Sequence, residues 1–460
     1  MARFKAGSIT PEQQHARMVG TPVLKLLMTL SVPTVLGQLV TVIYNAADTY
    51  FVSQINTSAS AAVGVVFSLM SIIQSLGYGI GMGAGSLISY RLGQKKQEDA
   101  ERYAVSAFAF SFLAGFVIMA LGLPLIEPLM RLLGSSETML PYAVDYGRYI
   151  LIAAPIMCAS FLLNCALRAE GETTLATVGI SMGGILNMIL DPLLIFSLDL
   201  GIAGAAIATA ASQCVSFILL LAVYLRGRTI IKLRPRLISR SFGDYGLILS
   251  TGFPTICRQG LGSLSAALLN VQARMYGDAA VAAVTIANKV YMLVRNVVIG
   301  VGQGFQPIAG YNFGAGYRRR TKKAFLWACG LGTVVCVAAA GGIAVFAEPI
   351  MAWFRADDEA VIRIGALALR FGCMVMPFMA YSTYVNQLYQ CLGFRVVATL
   401  LASMRQGICF VPLILLLPRL FGLTGVQVSQ PLSDFLTFFV SIPFQIRFFR
   451  RYLRQDELAR

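Results

Sequence analysis

Charge is scarce in this chain and leans one way: 21 Asp and Glu stand against 37 Lys and Arg, together 13% of 460 residues. A soluble domain carries roughly twice that charged share, and a mean hydropathy of +0.72 excludes a soluble globular reading. Histidine occurs once, as His15 in the polar N-terminal tail, which excludes a His-based catalytic dyad and leaves a solvated side chain as the reading. The nine cysteines stand as singles, mostly within apolar runs and without Cys-x-x-Cys, so neither a thiolate metal knot nor a disulfide framework is expected. No glycine run ends in Gly-Lys-Ser/Thr, so no phosphate-cradling loop is present and uphill work must draw on an ion gradient. The opening MARFKAGSITPEQQHARMVG has no apolar core, so no cleaved signal peptide is expected. With no nucleophile and base pair or metal set, the chain does not read as an enzyme, and no cofactor beyond a coupling ion is expected.

What fills the chain instead is uncharged apolar sequence. Segments long enough to cross a hydrocarbon core recur near residues 25–47, 61–88, 103–126, 148–168, 174–198, 201–225, 245–270, 281–308, 324–347, 365–391, 396–418 and 421–446. The period is helical throughout, so the expected fold class is an all-α integral membrane protein of twelve transmembrane helices rather than an outer-membrane barrel. Basic residues gather after even-numbered spans, as in Arg91, Lys95, Lys96 and Arg102, or Arg318, Arg319, Arg320, Lys322 and Lys323. The odd-numbered exits are poor in Lys and Arg or carry acids, as in AEPIMAWFRADDEA. The positive-inside rule then places both termini and the even-numbered loops in the cytoplasm. The net charge of +16 therefore reads as a topology signal that also meets anionic lipid, not as a nucleic-acid surface.

The chain is also written twice. At a shift of 221, Pro33 falls on Pro254, Gly79 on Gly300, Gly83 on Gly304, Tyr90 on Tyr311 and Gly93 on Gly314; at 222, Arg148 falls on Arg370, Pro155 on Pro377, Asn164 on Asn386 and Gly171 on Gly393. Six spans per repeat return the chain to its starting side, so the two halves are expected as six-helix bundles related by a pseudo-twofold along the membrane normal, with a cavity between them. The divisions are a tail at 1–24, a bundle at 25–225, a basic linker at 226–244, a bundle at 245–446 and a tail at 447–460. Such repeats suit alternating access; duplication that merely enlarges a scaffold or channel is the other reading. The glycine runs GYGIGMGAG and GVGQGFQPIAG read as surfaces for close helix packing.

Against this background the few buried charges are informative, because a carboxylate at membrane depth is costly and tends to mark an ion path. Asp48 is the only charged residue between Leu26 and Tyr90, and Asp191 lies at the end of the fifth span with Asn187 on the same helical face. Asn164 and Thr209 add neutral oxygens in the same half. Such a set suits a hard cation such as a transient Na⁺ at Asp48 and Asp191, or a shared proton; capping near helix ends and interhelical hydrogen bonding are the bland alternatives. The second half is not a copy here: Asp48 falls on Leu269 and Asp191 on Pro412, while Arg258, Arg405 and Asp434 stand near mid-depth as a candidate charge pair. An arginine–aspartate pairing that locks the bundle is the economical reading. Pro33 interrupts the first span before Asp48 and reads either as a bend point or as a static kink.

The first-span pattern P-T-V-L-G-Q-L-V-T-V-I-Y-N-A-A-D-T-Y-F-V, the second-span ending G-x-G-x-G-x-x-x-x-Y-R-L-G-Q and the duplicated halves resemble the MATE family of multidrug and toxic-compound extrusion transporters, most of all its bacterial DinF/MepA-type branch. The likeness covers nearly the whole chain. It implies a V-shaped pair of bundles that exports amphipathic, mostly cationic compounds in exchange for H⁺ or Na⁺, with the coupling cluster on Asp48, Asn164, Asn187, Asp191 and Thr209, tyrosines at Tyr44 and Tyr146 lining that lobe, and a bend at Pro33. The other coupling pattern of the family, with acids in the C-terminal bundle, is not met: the seventh span offers Arg258 and Gln259, and the tenth Asn386, Gln387 and Gln390. A flippase of a lipid-linked saccharide from the same superfamily is the runner-up, and a channel or structural protein the third reading. Expected partners are small amphipathic molecules and the bilayer, without nucleic acid, and the chain is expected to act as a monomer.

Overall fold

The computed structural model describes residues 10–55, 57–354 and 358–453; part of the acidic AEPIMAWFRADDEA loop and half of the C-terminal tail lie outside them. The described residues form helices and connecting turns, without a strand. A short helix α1 (Pro11–Gly20) precedes the first long one. The first lobe is α2 (Val23–Ser53), α3 (Thr57–Gly93), α4 (Gln97–Gly122), the short α5 (Ile126–Leu132), α6 (Leu140–Ala169), α7 (Thr173–Pro192) and α8 (Gly201–Leu225). The second is α9 (Phe242–Arg274), α10 (Asp278–Gly314), α11 (Arg318–Val345), the short α12 (Ala347–Phe354), α13 (Glu359–Cys391), α14 (Arg395–Ser403), α15 (Phe410–Phe421) and α16 (Leu423–Phe448). α14 and α15 act as one span joined by a π-helical turn at Met404–Ile408, and a like turn at Leu193–Ser197 prolongs α7 beyond Pro192.

Eleven of these helices are long and apolar enough to cross a membrane. The sequence reading expects twelve. The difference is α9, which is 33 residues long but dilutes its apolar run with Asp244, Arg258, Gln259 and Arg274. Several helices also outrun their expected spans, since α3 and α10 each have 37 residues, more than the ~20 that a bilayer core requires.

The two repeats share their turn chemistry. Gly171 and Gly393 both follow the fourth long helix of their lobe with φ of 88° and 80°, a left-handed conformation that glycine adopts without a Cβ clash. Asn164 donates to the carbonyl of Ala176 at 2.8 Å, and its repeat mate Asn386 donates to that of Ala398 at 2.6 Å. The same clip therefore fastens adjoining helices in each lobe.

The lobes meet in the half of the molecule that carries the termini and the basic linker, and they meet through glycine. A Cβ on Gly83 would lie 2.1 Å from the Ile248 carbonyl oxygen, and one on Gly304 2.6 Å from the Ser31 backbone nitrogen. Backbones pressed this close gain dispersion and leave room for hydrogen bonds across the seam: Thr34 Oγ1 donates to the Gly300 carbonyl at 2.6 Å and Gln38 to Gln303 Oε1 at 3.0 Å. The expectation of close packing at the glycine runs thus has a specific form, a symmetric seam of α3 on α9 and α2 on α10. Farther along α2 than Gln38, and on the stretch of α3 that precedes Ser75, which reaches the Ile256 carbonyl at 3.4 Å, no side-chain hydrogen bond joins the lobes among the described residues.

Across the closed end lies α1. Its Thr10 and Gln13 cap it reciprocally, each side chain taking the other's backbone N–H. Gln14 donates to the Glu170 carbonyl and Arg17 pairs with Glu172 at 3.0 Å, both on the first lobe. Toward the second lobe, His15 Nδ1 lies 3.1 Å from the Tyr311 hydroxyl, Asn312 donates to the Met18 carbonyl at 3.2 Å, and Arg320 donates to that of Thr21 at 2.6 Å. This corrects the solvated reading of His15: the polar tail coils into a helix whose inner face has partners on both lobes. The linker is pinned as well. Its Ile230 and Ile231 N–H groups donate to Glu170 Oε2 at 2.9 and 3.3 Å, and Lys232 N donates to Glu101 at 3.3 Å.

Candidate functional site

In the open half of the first lobe, α7 ends on Asn187 and Asp191, one turn apart and 2% and 0% exposed. Asn187 Nδ2 donates to Asp191 Oδ1 at 3.0 Å and approaches Thr209 Oγ1 of α8 at 3.4 Å. Thr209 in turn sits 3.4 Å from the Tyr146 hydroxyl of α6. Asp48 and Tyr44, near the far end of α2, complete the group: both, with Asp191, lie within electrostatic reach of Tyr146. The Tyr44 ring fills the space over Gly184, where a Cβ would come within 2.6 Å of it. Glycine at that position lets α2 and α7 approach and brings the two acids together.

Neither acid is met by a cation among the described residues. Asp48 Oδ1 and Asp191 Oδ2 are buried without a hydrogen-bond partner. Buried carboxylate oxygens left in this state incur a desolvation cost that a bound cation or a proton relieves. The Thr209 and Tyr146 hydroxyls and the Asn187 amide supply the further oxygens that a hard cation takes up.

The structure does not bring every expected residue here. Asn164 shares α6 with Tyr146 but lies about 27 Å along it, at 1.5 Å per residue, and its amide is spent on the Ala176 carbonyl. Its repeat mate makes the same bond, so its place is in the helix clip. Pro33 lies inside α2, which continues through it. The N–H that proline lacks costs one helical bond, while the Pro33 carbonyl accepts from Thr177 Oγ1 at 2.9 Å, tying the α2 interruption to the helix that carries Asp191.

The second lobe holds a cluster of opposite sign. Arg405, on the π-helical turn, makes a two-pronged pair with Asp434 of α16: Nε to Oδ1 at 2.6 Å and Nη2 to Oδ2 at 3.2 Å. The π turn re-aims side chains relative to a regular helix. The Tyr291 hydroxyl also donates to Asp434 Oδ2, and Gln430 to Oδ1 at 3.2 Å. Of the expected candidates, then, Arg405 and Asp434 pair and Arg258 stands outside the pair. Sequence reasoning missed Arg295. Gln406 links it to α9, with the amide oriented to donate to the Arg258 carbonyl at 2.8 Å and to accept from Arg295 Nη1 at 3.0 Å. The available signal was an arginine within the eighth span, where the one other charge is Lys289.

Comparison with known proteins agrees with this two-lobed arrangement. The chain is 27% identical over 426 residues to the multidrug export protein MepA of Staphylococcus aureus, covering 90% of this chain and 92% of the relative. It is 27% identical over 434 residues to an FAD transporter of Shewanella oneidensis, covering 91% and 93%. Among solved structures, a MATE protein in complex with MaL6 superposes with a TM-score of 0.90 at 26% identity over 94% of this chain and 98% of that one. The MatE family model matches residues 33–193 and again 254–416, once in each lobe. The chain belongs to the MatE family of membrane transporters.

Proposed function

We propose that this protein is a cation-coupled antiporter that exports amphipathic, mostly cationic compounds, exchanging them for H⁺ or Na⁺ taken up at Asp48 and Asp191. The observation that carries this reading is that Asp48 and Asp191 each keep a buried, unpartnered carboxylate oxygen, with no ion-paired cation among the described residues. In this reading the basic, closed end faces the cytoplasm, so the conformation is outward-facing. An ion arriving from outside satisfies Asp48 and Asp191, α2 shifts where Pro33 weakens it, and a cationic substrate loses its counter-charge and leaves. Return to the inward-facing form releases the ion and frees the acids for the next substrate. The protein acts in the bacterial plasma membrane, with both termini cytoplasmic, and as a monomer, since each lobe carries its own set of polar groups. Relatives equally similar to this chain bear names with unlike cargoes; the cationic class proposed here is the one the family resemblance implies, and the acids Asp48 and Asp191 suit it.

The test is ethidium export from proteoliposomes under an imposed pH gradient and, separately, a Na⁺ gradient. Uphill export under one of them, lost in Asp48→Asn, supports the reading and names the ion. Equal export by wild type and variant would refute the assignment of the coupling site.

A further inference from the structure

The guanidiniums of the second lobe are in excess. Arg295 lies within electrostatic reach of Asp434, Arg405 and Arg258, and Arg258 within that of Arg405, while Asp434, the one carboxylate among them, is already taken by Arg405, Tyr291 and Gln430. Arg295 has a single anchor, Gln406, and its Nε is buried with no partner. The Arg258 guanidinium makes no hydrogen bond or ion pair among the described residues. Arginine cannot shed its charge as a carboxylic acid can, so these two groups hold unspent donors at membrane depth. All three arginines are nonetheless partly exposed. If the cluster served only to hold the lobe together, the Arg405–Asp434 pair would suffice, and the two further charges would weaken it by repulsion.

An aromatic wall lies on the helices α13 and α16, the latter carrying Asp434. Phe438 lies one helical turn beyond Asp434 on α16, and Phe435 is next to Asp434 in the chain. The Phe378 ring of α13 packs against both, with centroids 4.8 Å from Phe438 and 5.6 Å from Phe435. Unspent guanidiniums and an aromatic surface in one lobe match a molecule with one anionic end and one flat apolar body.

We propose that the second lobe contains a binding site for amphipathic organic anions, in which Arg258 and Arg295 receive the carboxylate, sulfonate or phosphate group and Phe378, Phe435 and Phe438 receive the apolar body. As a statement about transported cargo, it rests on the antiport reading above. The two lobes then present walls of opposite sign to the cavity, acids on the first and guanidiniums on the second, so a substrate is sorted by charge between them.

The experiment measures fluorescein binding to the full-length protein in dodecyl maltoside micelles by anisotropy, against empty micelles, with ethidium export from proteoliposomes followed in parallel. Arg258→Gln and Arg295→Gln are each expected to weaken fluorescein binding about tenfold or more, the effect of losing a charge-assisted hydrogen bond. Arg295→Lys, which keeps the charge, is expected to recover part of it. Arg258→Gln breaks no bond within the lobe, so it remains folded and keeps the test decisive. Displacement of fluorescein by inorganic pyrophosphate assigns the site to soluble anions; displacement by dihexanoyl phosphatidic acid alone assigns it to a lipid headgroup, as a flippase would require. Absence of fluorescein binding, binding equal in wild type and Arg258→Gln, or displacement by neither competitor overturns the proposal. Ethidium export separates the two readings: if it proceeds without fluorescein binding, only the anion site fails, and if arginine-dependent binding occurs without export, only the antiport reading fails.

Discussion

Gly93 of α3 and Gly314 of α10 occupy equivalent places in the two repeats and each lies against the other's helix: a Cβ on Gly93 would come within 2.1 Å of the Tyr311 carbonyl oxygen, and one on Gly314 within 2.2 Å of the Tyr90 carbonyl oxygen. The contact obeys the same pseudo-twofold as the sequence repeat. It closes the basic end of the molecule with backbone against backbone, which leaves no side chain free to yield.

Gly93→Ala or Gly314→Ala is therefore expected to force α3 and α10 apart. The closed basic end is a state in which that contact is made, so each variant should populate it less. Maleimide labelling of Cys391 and Cys165, which are 2% and 3% exposed and lie near this seam, should accelerate severalfold from the basic side. Unchanged labelling in both variants would show that the seam does not hold the end shut.

Loss of α1 is expected to act in the same direction by a separable route. Arg17 with Glu172 and Gln14 with Glu170 bind the helix to the first lobe, while Asn312 and Arg320 bind its Met18 carbonyl to the second. Removing residues 1–20 should speed Cys391 labelling and lower the melting temperature in micelles by several degrees, given about 1 kcal/mol for each lost hydrogen bond. Arg17→Ala alone, removing a half-exposed ion pair, should cost no more than about 1 kcal/mol.

Glu170 predicts a pH dependence. It lies between α6 and α7, outside the spans, and burial pushes its carboxyl up to about 8 although the Ile230 and Ile231 N–H groups favour the charged form. A folded-state value above the unfolded one means that the folded protein holds the proton more tightly. The stabilisation is fully present below the ordinary carboxylate range and is lost as pH rises toward about 8. Wild type minus Glu170→Gln should therefore show a melting-temperature difference that falls steadily from pH 5 to about pH 8; a flat difference would contradict it.

Arg405→Ala should be more damaging than Arg258→Ala. The first leaves Asp434, fully enclosed, without its two-pronged partner, and breaking a buried pair from one side costs about 3–5 kcal/mol. The second removes a side chain with no bond inside the lobe. Comparable loss of folded yield in both would mean that Arg258 supports the lobe in a way its contacts do not reveal.

Much of this was legible in the chain alone, for identifiable reasons. Apolar runs of helical period in a chain with so few charges leave a bilayer-spanning helix bundle as the one fold that satisfies every backbone group. Self-matching at a shift of 221 dictates two like lobes, and an uncompensated Asp48 points to an ion site because burying a charge is costly wherever it occurs. Contacts between distant segments were not legible. That Asn164 is spent on Ala176, that His15 meets Tyr311, and that Arg295 joins Arg258 through Gln406 all depend on which helix faces turn toward each other. Each of those bonds spans neighbours chosen by packing, and helical period specifies a face but not its partner. The tertiary structure thus decided which polar groups are already satisfied and which remain free for a ligand.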